Sequence, residues 1–347
     1  MATMGLDHVQ DLVEGLNDLQ RNHQTQAELI MLGEQAVEPL VKFLLGPPAQ
    51  FPQPRCLAAE ALGIIGGEAA FDGLIRALSV NDVGHSDPLL QLSEEMVRNS
   101  ACEQLATFRD HRAVQPLLDA LIRHHLVGAA LTLAGLHEAR AIPAIVESLE
   151  DPFIRERMAE ALLGFGLAAV PPLVQTLSMR RDLCESEARP SIERRALAAR
   201  LLGRLHATEA TEALLAAVKD ECEEVRLQAA LAIFKLVEDH RIDALLPHLI
   251  GALKSKDLLL EDEGVEAFVR VGARAVPFLM ESLKNRAAET GRVRLLLIEA
   301  LGRIGDRRAC SILEAMQADS DPRIQRKAEK ILRLWGVPRS QSGTDAE

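Results

Sequence analysis

Between Val293 and Ile304 the apolar side chains fall at i, i+3, i+4 and i+7, the period of a helix buried along one broad face. Gly305 ends that pattern, because a residue without a β-carbon enters the left-handed conformation at little cost. A second amphipathic stretch follows within about four residues. Proline stands early in the corresponding stretch of other copies, at Pro39, Pro116, Pro143, Pro171, Pro247 and Pro277, where a first-turn N–H has no helical partner to lose. The spacing therefore predicts two antiparallel helices joined by a tight turn.

The same turn returns along the whole chain. It reads Leu32-Gly33, Phe165-Gly166 and Val271-Gly272 in the clearest copies, each followed by Ala-Val-x-Pro-Leu or a close variant. Looser copies stand at Ile65-Gly66, Phe108-Arg109, Leu136-His137, Leu205-His206, Leu236-Val237 and Ile304-Gly305, making nine. A period of thirty-odd residues marks a repeat architecture, since one hairpin cannot bury its apolar stripe alone and must stack on its neighbours. The pattern resembles the HEAT repeats, over about residues 8 to 336. The copies with a V-R-x-x-A-A-x-A-L-G-x-I-G-D consensus are similar to the subtype also found in bilin lyases. The resemblance implies an all-α superhelix of about nine hairpins with a capping helix around Pro322 to Trp335, each copy adding roughly 10 Å. It also implies that the second helices line the concave side. Residues 1–336 are expected to form one solenoid and residues 337–347 a disordered tail.

Hydrophobic residues make up 48% of the 347, yet aromatics only 3%, so the expected core is Leu, Ala, Val and Ile packed closely. The uncharged stretch Leu126 to Leu136 is too short to span a bilayer. The first 30 residues show no basic start and no apolar run of a signal peptide, which leads to the expectation of a cytoplasmic protein. Cysteines 56, 102, 184, 222 and 310 contain no C-x-x-C pair and read as packed thiols.

Catalytic side chains of a repeat enzyme would recur in the repeat register. Deoxyhypusine hydroxylases, which resemble this architecture, hold iron with His-Glu pairs just after the consensus Val-Arg. The matching pairs here include Cys56-Leu57, Asn99-Ser100, Val127-Gly128, Glu156-Arg157 and Leu295-Leu296, and none of the eight is His-Glu. His137-Glu138 lies at a turn instead, His137 and His206 stand two copies apart, and the adjacent His124 and His125 point in different directions on a helix. Phosphate-cradle and nucleophile-elbow motifs are missing from the sequence. No enzyme activity, cofactor or metal is expected on this basis.

Charge sharpens the picture. Residues 1–263 carry 24 basic and 40 acidic side chains, while residues 264–347 carry 15 and 11. When the copies are aligned on the x of L-G-x-I-G, that position reads Arg204, Lys235, Arg270 and Arg303 in four successive copies. Each sits in the last turn of a helix, where the dipole favours a cation by roughly 0.3–1 kcal/mol, and stacking would align them as a candidate ladder for an acidic partner. Arginines 55, 98, 155, 195, 226 and 294 form another series, which the family resemblance assigns to contacts between copies with acidic turn residues such as Asp110 and Asp306. Three inserts at 46–54, 79–93 and 179–191 break the rhythm at one recurring junction and are candidate contact loops. The acidic bulk and single Trp335 argue against nucleic acid, for which a basic groove is needed. The expectation is a non-enzymatic scaffold or adaptor for a protein partner, with a nucleic-acid-binding protein or a bilin-handling protein as alternatives.

Overall fold

The computed structural model describes residues 2–80, 87–179, 189–236, 240–254, 258–285 and 290–337. Parts of two inserts, 81–86 and 180–188, Cys184 and the tail from 338 lie outside the described residues. The described residues are helical throughout, with no strand.

The chain divides into two compact units, residues 1–172 and 173–347. The first contains α1 (Ala2–Gly15), α2 (Asn22–Leu32), α3 (Glu34–Leu44), α4 (Gln53–Ile65), α5 (Glu68–Ala77), α6 (Pro88–Leu105), α7 (Val114–His124), α8 (Val127–Gly135), α9 (Ile142–Glu147) and α10 (Arg155–Gly164). Helix α11 (Val170–Ser178) contains the division point. The second unit continues with α12 (Arg189–Arg204), α13 (Thr211–Ala217), α14 (Glu223–Leu236), α15 (Leu246–Lys254), α16 (Leu258–Val271), α17 (Val276–Lys284), α18 (Gly291–Ile304), α19 (Cys310–Met316) and α20 (Pro322–Leu334). From α2 to α19 these are nine hairpins, with α20 as the expected last helix and α1 as a helix that the repeat pattern does not announce.

In the first unit the leading helices α2, α4, α6, α8 and α10 pack side by side, as do the following helices α3 and α5, and α7 and α9. In the second unit α12, α14, α16, α18 and α20 form the corresponding layer. The core between the layers is aliphatic, with Leu62, Leu74, Leu117, Leu201 and Leu301 fully buried among many buried alanines. Small residues set close helix contacts: a β-carbon on Gly128 would come within 2.6 Å of the Asn99 carbonyl, and one on Gly203 within 2.8 Å of the Ala232 Cα.

The turn is the most regular feature. Of the nine expected positions, Gly33, Gly66, Arg109, His137, Gly166, His206, Gly272 and Gly305 all have φ between 50° and 75°, and the ninth, Val237, lies outside the described residues. Three copies thus hold arginine or histidine in the left-handed region, where an L side chain crowds the following carbonyl at a cost of roughly 1–2 kcal/mol. Beyond the turn a short 3₁₀ segment precedes most second helices, for example His111–Ala113 and Arg307–Ala309, so the α-helical ladder starts later than the periodicity suggests. The first copy differs. There α3 begins at Glu34 directly after the turn and Pro39 falls inside the helix instead of in its first turn.

Candidate functional site

The four aligned cations lie at the ends of α12, α14, α16 and α18, and three of them bridge neighbouring leading helices. Lys235 on α14 pairs with Glu263 on α16 at 2.9 Å. Arg270 on α16 donates to the Phe234 carbonyl on α14 at 3.4 Å, and Arg303 on α18 pairs with Glu266 on α16. Lys327 on α20 extends the series to Glu299 on α18 at 2.7 Å. Arg204, exposed on α12, has no hydrogen-bond or ion-pair partner among the described residues. The pairs are partly exposed and of the kind that contributes about 0–1 kcal/mol each. They leave guanidinium and ammonium donors at the surface of the leading-helix layer.

The second arginine series makes contacts between elements, with acidic turn residues at Arg195 and Arg294 as expected, but with neither Asp110 nor Asp306. Arg55 donates through Nε to the Leu44 carbonyl at the end of α3 and pairs with buried Glu94 of α6. Arg155 donates to the Leu149 carbonyl at 2.7 Å, Arg98 to that of Val80 at 3.3 Å, and Arg226 to those of Asp220 and Glu221, both at 2.7 Å. Arg195 and Arg294 pair with buried Asp220 and Asp319. A cation there supplies donors to carbonyls that a helix end leaves without partners. Asp110 and Asp306 serve a local device instead. Each caps the following 3₁₀ segment by accepting from the backbone N–H two residues on, and pairs with the arginine at that same position, Arg112 or Arg308. Glu138 with Arg140 and Asp321 with Arg323 repeat it. The arginine hydrogen bonds hold all four carboxyls below their ordinary range.

Apolar exposure is concentrated differently. Helix α6 runs for 18 residues, whereas α8, which packs beside it, has only 9. The α8 contact falls on Asn99 and Glu103: Gly128 N–H donates to Asn99 Oδ1 at 2.7 Å, and the bare Gly128 Cα faces the Glu103 stem. Leu92 and Met96 continue the same stripe toward the start of α6 at the i, i+4 spacing, and Leu89 lies one turn before Leu92. Among the described residues no helix covers these three, and Leu89, Leu92 and Met96 are 62%, 55% and 50% exposed respectively. The 46–54 insert lies on the other flank of α6, where Ser93 Oγ donates to the Ala49 carbonyl at 2.5 Å. Its Pro47 and Pro54, with Val13 and Phe43, line a groove of about 320 Å³, and Phe51, which also lines it, is 73% exposed. Sequence periodicity alone could have marked the stripe, since Leu89, Leu92 and Met96 exceed what one buried face of α6 requires.

Among the described residues no three His, Cys, Asp or Glu side chains gather as metal ligands, and no helix is long and apolar enough to cross a membrane. Burial pushes the Cys102 thiol up strongly and that of Cys56 up to about 11.

Comparison with known proteins agrees with the repeat. The family model of the PBS lyase HEAT-like repeat matches residues 54–79, which are α4, its turn and α5. No curated protein matches the chain by sequence. Among solved structures, Kap95p with RanGDP is 13% identical over 94% of this chain and 50% of that one, with a TM-score of 0.57. The karyopherin Kap121p bound to the SUMO protease Ulp1p is 12% identical over 94% and 45%, with a TM-score of 0.54. The chain spans about half the length of these karyopherins, and the likeness shows a HEAT-type helical solenoid fold. The complex of CpcE and CpcF of phycocyanin lyase from Nostoc sp. PCC7120 is 21% identical over 87% of this chain and 94% of that one, with a TM-score of 0.29.

One expectation is corrected by these findings. The exclusion of enzymes rested on missing His-Glu pairs, phosphate cradles and nucleophile elbows, and those tests address only the chemistries that use them. The repeat model that matches residues 54–79 is named for a lyase, chemistry for which an iron ligand set is no criterion. The non-enzymatic reading therefore falls.

Proposed function

For a chain built of HEAT-like repeats, we propose a protein-binding function in which the overhang of α6 receives an amphipathic helix of a partner protein. The unpartnered stripe Leu89, Leu92 and Met96 carries this reading. It prolongs the face on which α6 already holds α8, so a helix laid there would extend an existing helix packing two turns further, with side chains spaced i, i+3 and i+7 on both sides. Grouped apolar exposure of this kind marks interaction surfaces. The karyopherin structures, captured with a protein partner, supply the precedent of such a fold in a binding role. Arg204, Lys235, Arg270 and Arg303 are proposed as a second contact for acidic residues of the partner, Arg204 having no internal partner to give up. The proposal takes residues 1–336 as one solenoid acting as a cytoplasmic scaffold or adaptor.

A photo-crosslinking residue at Leu92 in the full chain, used in a lysate of the source organism, identifies the peptide that docks. That peptide, synthesised alone, should bind the wild-type chain and bind Leu92→Glu/Met96→Glu at least tenfold more weakly, with the melting temperature of the variant unchanged. A crosslink to a second copy of this chain, or equal binding by the variant, refutes the reading. Reversal of Arg270 and Arg303 to Glu should weaken capture of the intact partner, less so at high salt.

A further inference from the structure

Of the three described copies that depart from glycine at the turn, His206 stands apart and the other two are neighbours. Arg109 and His137 occupy the left-handed position in two consecutive copies, and both line one cleft of about 660 Å³ between the ends of α6 and α8. His111, two residues beyond Arg109, lines it as well, together with the apolar Ala106, Leu131 and Leu136 and the polar Glu103 and Thr132. Glycine would adopt this backbone without strain, as it does at Gly33, Gly66, Gly166, Gly272 and Gly305. Retention of two strained side chains that share one cavity points to a use for the side chains.

The charge arrangement around the cleft says what that use is. The carboxylates beside it are paired, Asp110 with Arg112 and Glu138 with Arg140, and Glu103, which lines the cleft, is engaged through Oε1 with Asn99 at 3.0 Å and Arg157 at 3.6 Å. Arg109, His111 and His137 have no side-chain hydrogen bond and no ion pair among the described residues. One planar guanidinium fork and two imidazoles thus line a single cleft with their donors unspent, beside the apolar side chains of Leu131 and Leu136. We propose that this cleft binds a small organic oxyanion, the fork of Arg109 taking two oxygens, His111 and His137 donating to the remainder, and the organic body resting on Leu131 and Leu136. A phosphate monoester and a carboxylate share this chemistry. The cavity is of the size that holds a small-molecule ligand.

Titration calorimetry of the full chain at low salt with phenyl phosphate, benzoate and phenol tests the proposal. Saturable binding of phenyl phosphate or benzoate at least tenfold tighter than phenol is expected. Preference for phenyl phosphate assigns a phosphate monoester, and preference for benzoate assigns a carboxylate. The decisive variant is Arg109→Gly/His137→Gly, which relieves both left-handed turns. It should melt no lower than the wild type and yet lose at least tenfold in affinity. Equal binding of phenol, no saturable anion binding, or unchanged affinity in the glycine variant overturns the assignment. His111→Ala, at an ordinary backbone position, gives a second reading of the same loss without touching the turns.

Discussion

Replacing Gly203 with alanine sets two effects of opposite sign against each other. Glycine inside a helix is less favourable than alanine by about 1 kcal/mol, and somewhat less near the end of α12, where Gly203 stands. Against that gain, the new β-carbon would meet the Ala232 Cα at 2.8 Å and the Ala232 Cβ at 2.9 Å. The neighbour is the backbone of α14 and cannot rotate aside. Helices α12 and α14 would have to separate by roughly half an ångström along a tightly packed interface, and overpacking of this kind costs about 1–3 kcal/mol. The clash should win, giving a net loss of about 1–2 kcal/mol. Gly135 provides the control, because nothing lies within 4 Å of a β-carbon there, and Gly135→Ala should be neutral or stabilising by up to about 1 kcal/mol. Urea unfolding followed by circular dichroism gives the stabilities, and hydrogen exchange in α12 and α14 locates the effect. A Gly203→Ala chain as stable as the wild type, or equal shifts in both variants, would show that the interface yields and that propensity alone decides.

Leu301→Ala should cost about 2–5 kcal/mol, because the side chain is fully buried, and hydrogen exchange should loosen α16, α18 and α20 before any helix of residues 1–172. A thiol reagent should leave Cys102 unmodified and react only slowly at Cys56 in the folded chain, both becoming reactive in denaturant; fast labelling of Cys102 without unfolding would contradict its burial. Acid should destabilise the fold through the repeated capping carboxylates. Their folded pKa values lie below the unfolded ones, so their contribution is complete above the unfolded values of about 4 and is lost as pH falls through the folded ones. Melting temperatures measured from pH 7 to 3 should fall most steeply below about pH 4, and Asp306→Asn/Asp321→Asn should flatten that fall.

The turns were legible because they depend on local residues. A left-handed position after an amphipathic run needs no knowledge of the neighbouring copy, and the eight described positions can be read from the sequence even where Arg109, His137 and His206 replace glycine. The partners of the recurring arginines were not legible. Whether Arg55 meets a turn aspartate or the Leu44 carbonyl depends on how far one helix projects past another, and that offset is set by packing at Gly63, Gly73 and Gly128, not by spacing along the chain. The same offset hid the ties of Lys235 to Glu263 and of Arg303 to Glu266, so the aligned cations look free in sequence when three of them are partly engaged. It also hid the overhang of α6, which exists only because α8 begins late.

The arginines that reach back to carbonyls have a consequence for rearranging the chain. Arg55, Arg98, Arg155 and Arg226 each join the opening of one copy to the closing residues of the copy before it. A deletion whose breakpoints fall where the sequence repeat appears to begin would sever that joint at both ends. Breakpoints within the left-handed turns, for instance excising Gly33 to Ile65, would carry each arginine along with its carbonyls. The exchangeable module of this protein is therefore half a period out of phase with its sequence motif: a following helix, the arginine joint and the next leading helix.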